Sequence, residues 1–96
     1  MENVVFGVAE NTPLTSNVYK MRLLGDTNAI KAPGQFVNIR IEGFYLRRPI
    51  SVCDVDGGVL TLIYKAVGSG TEALSRTAAG EKLDLLVGLG NGYDLV

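Results

Sequence analysis

Arg48 and Ser51 stand three residues apart in the stretch LRRPISVCD, a fixed cation and a hydroxyl set among Ile50, Val52 and Cys53. An otherwise apolar strand needs neither. In an extended chain the two positions lie roughly 10 Å apart. Over that span a guanidinium can hold a phosphate while the hydroxyl addresses another part of the same elongated ligand. Strict alternation sends positions 48 and 51 to opposite faces, but Pro49 withdraws a ladder donor and allows a local twist. The plainer reading is a solvated arginine at a strand start and a serine bonded to a neighbouring carbonyl. The residues alone leave both readings open.

A second stretch, GSGTEALS, points the same way. Glycines just before a helix let the backbone approach a ligand, and the first helical N–H groups and the positive helix end attract an anion. Its plainer reading is a flexible turn feeding a capped helix, with Glu72 occupying the end. It is not a Walker loop, because no Gly-Lys-Ser/Thr follows at the required spacing. Nor does GLGNG complete a G-x-G-x-x-G, since Tyr93 stands where the third glycine belongs. Together, Arg48 with Gly70 and Thr71 would supply the guanidinium and backbone amides that a pyrophosphate needs. Between them in sequence lies LIYKAV, where Ile63, Tyr64 and Lys65 could flank the rest of the ligand. Tyr64 equally suits a half-buried strand aromatic.

The elements that must position these residues are short and mostly extended. NVVFGVAEN opens with a Val/Phe-rich strand, NTPLTS turns the chain, and NVYKMRLLG follows as a second strand. Ala32–Gly34 is a turn signal. In QFVNIRIEG, Phe36, Val37, Ile39 and Ile41 alternate against Gln35, Asn38, Arg40 and Glu42, which predicts a strand with one wet face. RPISVCDV and VLTLIYKA are two more strands, joined through the hairpin signal Asp56-Gly57. Ser69 followed by Glu72 fits a capping box, TEALSRTAA suits a short helix, and Gly80 is placed to end it. KLDLLVG is a last strand. Six strands and one short helix predict an all-β architecture, a closed or nearly closed six-stranded antiparallel barrel. The apolar, glycine-punctuated GLGNGYDLV reads as the entry to a further element, so the chain is expected to be a domain of a longer protein.

Composition narrows the chemistry. The 96 residues carry 9 Lys and Arg against 10 Asp and Glu, a net charge of −1 with no basic–aromatic stripe. Neither nucleic acid nor an anionic membrane is therefore the expected partner. No apolar run reaches the roughly 20 residues of a membrane-spanning helix, and no signal peptide is recognisable. A cytoplasmic location is the default expectation. There is one cysteine, Cys53, and no histidine. Disulfide frameworks, thiolate metal sites built from this chain alone and imidazole-based catalysis are excluded.

In the order RRPIS, IYKAVGSGT, GLGNGYDL, the chain resembles the flavin-binding barrel of the ferredoxin–NADP reductase superfamily, most of all the electron transfer subunits of bacterial dihydroorotate dehydrogenases. The likeness covers essentially the whole chain, residues 1–96. The family's flavin signature, Arg-x-aromatic-Ser, reads here Arg48-Pro49-Ile50-Ser51. By that resemblance Arg48 pairs with the FAD pyrophosphate and Ser51 hydrogen-bonds near the reactive N5 of the ring. Gly70 and Thr71 offer backbone and hydroxyl donors to the pyrophosphate, and Ile63, Tyr64 and Lys65 line the flavin. Ile50 replaces the usual Tyr or Phe, so the resemblance implies an aliphatic contact there instead of ring stacking. Arg47 is left to solvent or to the docking of a partner subunit.

The resemblance further implies a pyrimidine-biosynthesis electron carrier working with a dihydroorotate dehydrogenase catalytic subunit and NAD. The nicotinamide-binding domain and [2Fe–2S] segment of the family have no counterpart in these 96 residues, so the isolated chain would be the FAD module and catalytically incomplete. The competing expectations are a barrel of another NAD(P)H-ferredoxin-type reductase and a cofactor-free interaction barrel.

Overall fold

The computed structural model describes residues 2–28, 30, 35–41, 43 and 47–87. Its strands are β1 (Glu2–Pro13), β2 (Val18–Leu24), β3 (Phe36–Ile39), β4 (Arg48–Asp56), β5 (Val59–Lys65) and β6 (Lys82–Val87), with one helix, α1 (Ser69–Ser75), between β5 and β6. All pairings are antiparallel and the sheet closes in the order β1-β2-β5-β4-β3-β6. The non-consecutive neighbours β2–β5 and β3–β6 make it a Greek-key barrel, within the closed antiparallel class expected from the sequence.

Period-two alternation builds the interior. Phe6 and Val8, Met21 and Leu23, Val37 and Ile39, Ile50 and Val52, Leu60 and Leu62, and Leu85 and Val87 all point inward and form one cluster, which Leu74 of the helix joins. Each fully buried aliphatic or aromatic side chain contributes on the order of 1.5–3 kcal/mol through surface removed from water. Two bulges interrupt the alternation. Ala9 is extra between Val8 and Glu10 on β1, and Cys53 between Val52 and Asp54 on β4. The second leaves both Cys53 and Asp54 exposed. The β4–β5 hairpin turns on Gly57 and Gly58, at φ 54° and 90°. Two positive φ values in succession are what a two-residue turn matched to strand twist requires.

Three expectations need correction. Gln35 is not on the wet face: it is buried, in step with Val37 and Ile39, while Phe36 is only half-buried. Parity, not residue polarity, sets the inward face. The helix spans Ser69–Ser75 and not 71–79. Its end comes early because Arg76 N–H donates to Ala73 O and Thr77 N–H to Leu74 O, both 3.1 Å, which tightens the last turn. Gly80, at φ 97°, turns the chain four residues after Arg76 and donates to Val8 O at 2.8 Å. The Ser69–Glu72 capping box does not form either. Gly68 is the N-cap and Ser69 is already helical, while the Thr71 hydroxyl takes the Gly68 N–H at 3.0 Å. The turn over 32–34 and the segment GLGNGYDLV beyond β6 lie outside the described residues.

Candidate functional site

β4 and the first turn of α1 meet where the sequence placed a cation and a glycine. A Cβ built on Gly70 would lie 2.5 Å from Arg48 Nε and 3.3 Å from its Cγ and Cδ. Arg48 thus runs its side chain across the helix start at a separation only glycine permits. Gly70 is buried beneath it. Arg48 itself is exposed, and no acid among the described residues pairs with it. Arg48 opens β4 at the barrel rim, opposite Ile39 of β3, which frees its side chain from the inward direction that parity with Ile50 would impose. Ser51 is exposed too, so both groups are reachable from solvent. Its hydroxyl has no partner among the described residues, in contrast to the carbonyl-bonded serine of the plainer reading.

Thr71 is committed locally. Its Oγ1 accepts from the N–H groups of Val67 (3.2 Å) and Gly68 (3.0 Å) and donates to Gly68 O at 3.1 Å. What the turn leaves over is backbone, since the opening N–H groups of a helix lack intrahelical carbonyls.

Along β4 the neighbours change. The ladder to β5 runs from Asp56↔Val59 to Val52↔Leu62 and stops. Upstream, Arg48 to Ser51 pair only with β3, and beyond Leu62, Ile63 to Lys65 pair only with β2. Past Val52 and Leu62 the two strands therefore splay, with no ladder between the edges they turn toward each other. Such edges carry backbone donors and acceptors that a ligand can use. Pro49 is exposed on this stretch and lacks an N–H. The Ile50 side chain is in the core, so any contact from residue 50 to a ligand on the outside would be through main chain.

The three β5 candidates divide. Ile63, at 41% exposure, and Lys65 face outward. Tyr64 faces inward at 4% exposure and stacks on Tyr19, with ring centroids 5.7 Å apart at 18°. Its hydroxyl donates to Asn11 Oδ1 at 2.8 Å, and burial pushes its pKa up to about 12, partly opposed by that hydrogen bond. Asn11 in turn donates through Nδ2 to Leu74 O (3.1 Å), Ser75 O (3.3 Å) and Thr77 O (2.9 Å). One amide on β1 thus holds the C-terminal carbonyls of α1, and Tyr64 fixes the direction of that amide. Sequence reasoning missed Asn11. Its partners lie 53 to 66 residues away, and no local pattern marks it.

A separate cleft of about 460 Å³ is lined by Arg40, Ile41, Ala73, Leu74, Lys82 and Asp84 among others, and by none of the residues the sequence nominated. Among the described residues no group of three or more His, Cys, Asp or Glu is placed to hold a metal.

No family model matches the sequence. Individual relatives do. The chain is 40% identical over 95 residues to the electron transfer subunit of dihydroorotate dehydrogenase B (NAD(+)) of Fusobacterium nucleatum, covering 93% of this chain and 37% of that protein. It is 39% identical over 94 residues to the same subunit of a Geobacillus species, covering 92% and 37%. It therefore spans little more than a third of the curated relatives it matches. Among solved structures, the NADH-dependent reduced ferredoxin-NADP oxidoreductase superposes with a TM-score of 0.80 at 27% identity, over 90% of this chain and 33% of that one. The ferredoxin reductase of carbazole 1,9a-dioxygenase, also solved in an FAD apo form, superposes at 0.79 with 24% identity, over 95% and 30%. The chain is a homologue of the dihydroorotate dehydrogenase B electron transfer subunits, built on the barrel of the ferredoxin reductases.

Proposed function

We propose that the chain is the FAD-binding barrel of an electron transfer subunit that connects dihydroorotate oxidation to NAD in pyrimidine biosynthesis. The observation that carries this reading is the Arg48 guanidinium laid across Gly70 at the start of α1, with no acid paired to it among the described residues. A diphosphate needs a cation and backbone donors converging from two elements, and this juxtaposition offers both. Two further features fit the cofactor. Ser51 has an exposed hydroxyl with no partner among the described residues, and the β4–β5 splay presents main-chain groups of Ile50, Ser51, Ile63, Tyr64 and Lys65 beside it.

On this reading Arg48 holds the diphosphate together with the first-turn amides at Gly70 and Thr71. Ser51 supplies one hydrogen bond to the ring, and Ile63 and Lys65 border it. Tyr64 contributes main chain at the splayed edge, while its side chain keeps α1 in place through Asn11. When bound, FAD supplies the electron-transfer chemistry, and the protein orients it and tunes its surroundings. The single cysteine cannot supply the thiolates of a [2Fe–2S] cluster, so in such a subunit a cluster would be held by other parts. The partner is a dihydroorotate dehydrogenase catalytic subunit, and the setting is cytoplasmic. No helix among the described residues is long and apolar enough to cross a membrane.

Titrating the protein with FAD while following flavin absorbance and fluorescence tests this. Binding with a perturbed spectrum is expected. Arg48→Ala should weaken it by about 1.5–3 kcal/mol, the scale of a charge-assisted hydrogen bond. A folded barrel that ignores FAD at tens of micromolar would overturn the proposal in favour of a cofactor-free interaction barrel.

A further inference from the structure

Arg47 is the charged residue of RRPIS that the proposed site leaves unused, and it is not simply solvated. Its guanidinium is largely covered. Nη1 donates to Asp84 O at 3.1 Å and to Asn38 O at 3.4 Å, and Nη2 lies 3.5 Å from Asp84 Oδ2. Asn38 is on β3 and Asp84 on β6, so one side chain touches both strands of a single seam. Among the described residues that seam is the shortest in the barrel. Among the described residues β3 and β6 are in register only at Asn38↔Leu86 and Ile39↔Leu85, extended by Arg40 N–H donating to Asp84 O at 2.9 Å. The β1–β6 ladder beside it runs over six positions from Glu2↔Val87 to Gly7↔Lys82.

The next residue is Arg48, the first of β4, opposite Ile39. Successive side chains of an extended chain point to opposite sides. Anchoring residue 47 on the β3–β6 side therefore sets the direction in which residue 48 leaves, toward Gly70. A guanidinium is suited to this anchoring, because its planar fork meets a carboxylate and two carbonyls at once, whereas an ammonium is a single point charge.

We propose that Arg47 is a positioning residue: by pinning the β3–β6 seam it aims Arg48 across the first turn of α1, and so prepares the diphosphate site before any ligand arrives. This rests on the reading of Arg48 given above.

The test is a double-mutant cycle in FAD affinity together with NMR of the FAD-free protein. Arg47→Ala is expected to weaken FAD binding about fivefold to twentyfold, but to weaken it no further once Arg48 is already alanine. Arg47→Lys should fall between. In the FAD-free protein Arg47→Ala should shift the Gly70 amide and the Arg48 Nε–H resonances, and the control Arg76→Ala should leave them in place. Should Arg47→Ala fail to fold, Asp84→Asn removes the charge partner and is read in the same two ways. Equal weakening in the Arg48 and Arg48→Ala backgrounds would overturn the proposal, because Arg47 would then act by another route. Unmoved Gly70 and Arg48 signals would overturn it as well. If the wild-type protein binds no FAD, the cofactor reading fails, while the resonances still decide whether Arg47 aims Arg48.

Discussion

The two halves of β4 have different neighbours. From Val52 to Asp56 the strand is laddered to β5, bulged at Cys53 and closed by the Gly57–Gly58 turn. From Arg48 to Ser51 it is laddered to β3 and has left β5. Each half thus has a ladder on one edge among the described residues, but only the earlier half opens toward a diverging strand, where Ile63 to Lys65 of β5 have turned to β2. All the groups proposed to meet a ligand from this strand lie in that open half. The contrast teaches that a site forms where two neighbouring strands part and leave the hydrogen-bonding groups of their facing edges unused.

Breaking the closed region should cost stability most. Leu62→Ala removes a fully buried side chain at the last rung between β4 and β5. A destabilisation of about 2–5 kcal/mol by denaturant unfolding is expected. If Leu62→Ala instead lowered FAD affinity at unchanged stability, the division between the two halves would be wrong. The open region should behave oppositely. Gly70→Ala puts a methyl against Arg48 Nε and should weaken FAD binding about tenfold or more, with a smaller effect on stability. A wild-type affinity in that variant would show that Arg48 need not lie where the structure places it.

Tyr64 sharpens the comparison through pH. The unfolded chain releases a tyrosine proton near pH 10, the native one near 12. Between those values the native state holds a proton that the unfolded state has lost. Tyr64's contribution is therefore fully present below pH 10 and is lost as pH rises toward 12, by up to about 2 kcal/mol. Tyr64→Phe should flatten that part of the alkaline decline. At neutral pH it should cost about 1 kcal/mol, by leaving Asn11 Oδ1 without its donor. An alkaline profile identical in the two proteins would refute the assignment. The smallest effect is expected from Ser51→Ala. An exposed hydroxyl with no partner among the described residues should leave stability within about 0.5 kcal/mol of wild type. The same change should shift the bound flavin's absorbance; an unchanged spectrum would detach Ser51 from the ring.

The strands were legible because their apolar residues alternate. Phe6 and Val8, or Leu60 and Leu62, could face only one interior. The hairpin was legible from Asp56-Gly57, although the two turn positions are Gly57 and Gly58, one residue later than that dipeptide. Gln35 was misread because a polar residue at an inward position breaks the pattern that reveals the inward side. The helix was misread at both ends for a related reason. Its N-cap lies one residue earlier, because the Thr71 hydroxyl accepts from the Gly68 N–H, the role that the sequence suggested for Glu72 with Ser69. Its end tightens through the Arg76 and Thr77 N–H bonds to Ala73 O and Leu74 O and is held by Asn11, more than sixty residues earlier in the chain. Arg47 was unreadable from its neighbours, since Asn38 and Asp84 are brought to it only by barrel closure.

By itself the sequence determined the strand set, the antiparallel barrel class and the residue types available for a phosphate and a ring, because alternation, turn glycines and side-chain chemistry are local properties. Only the tertiary structure decided that Arg48 crosses Gly70, that β4 and β5 part after Val52, and that Tyr64 serves Asn11 with its side chain. Those are distances between segments far apart in the chain, and they acquire values only when the sheet closes on itself and its side chains must share one interior.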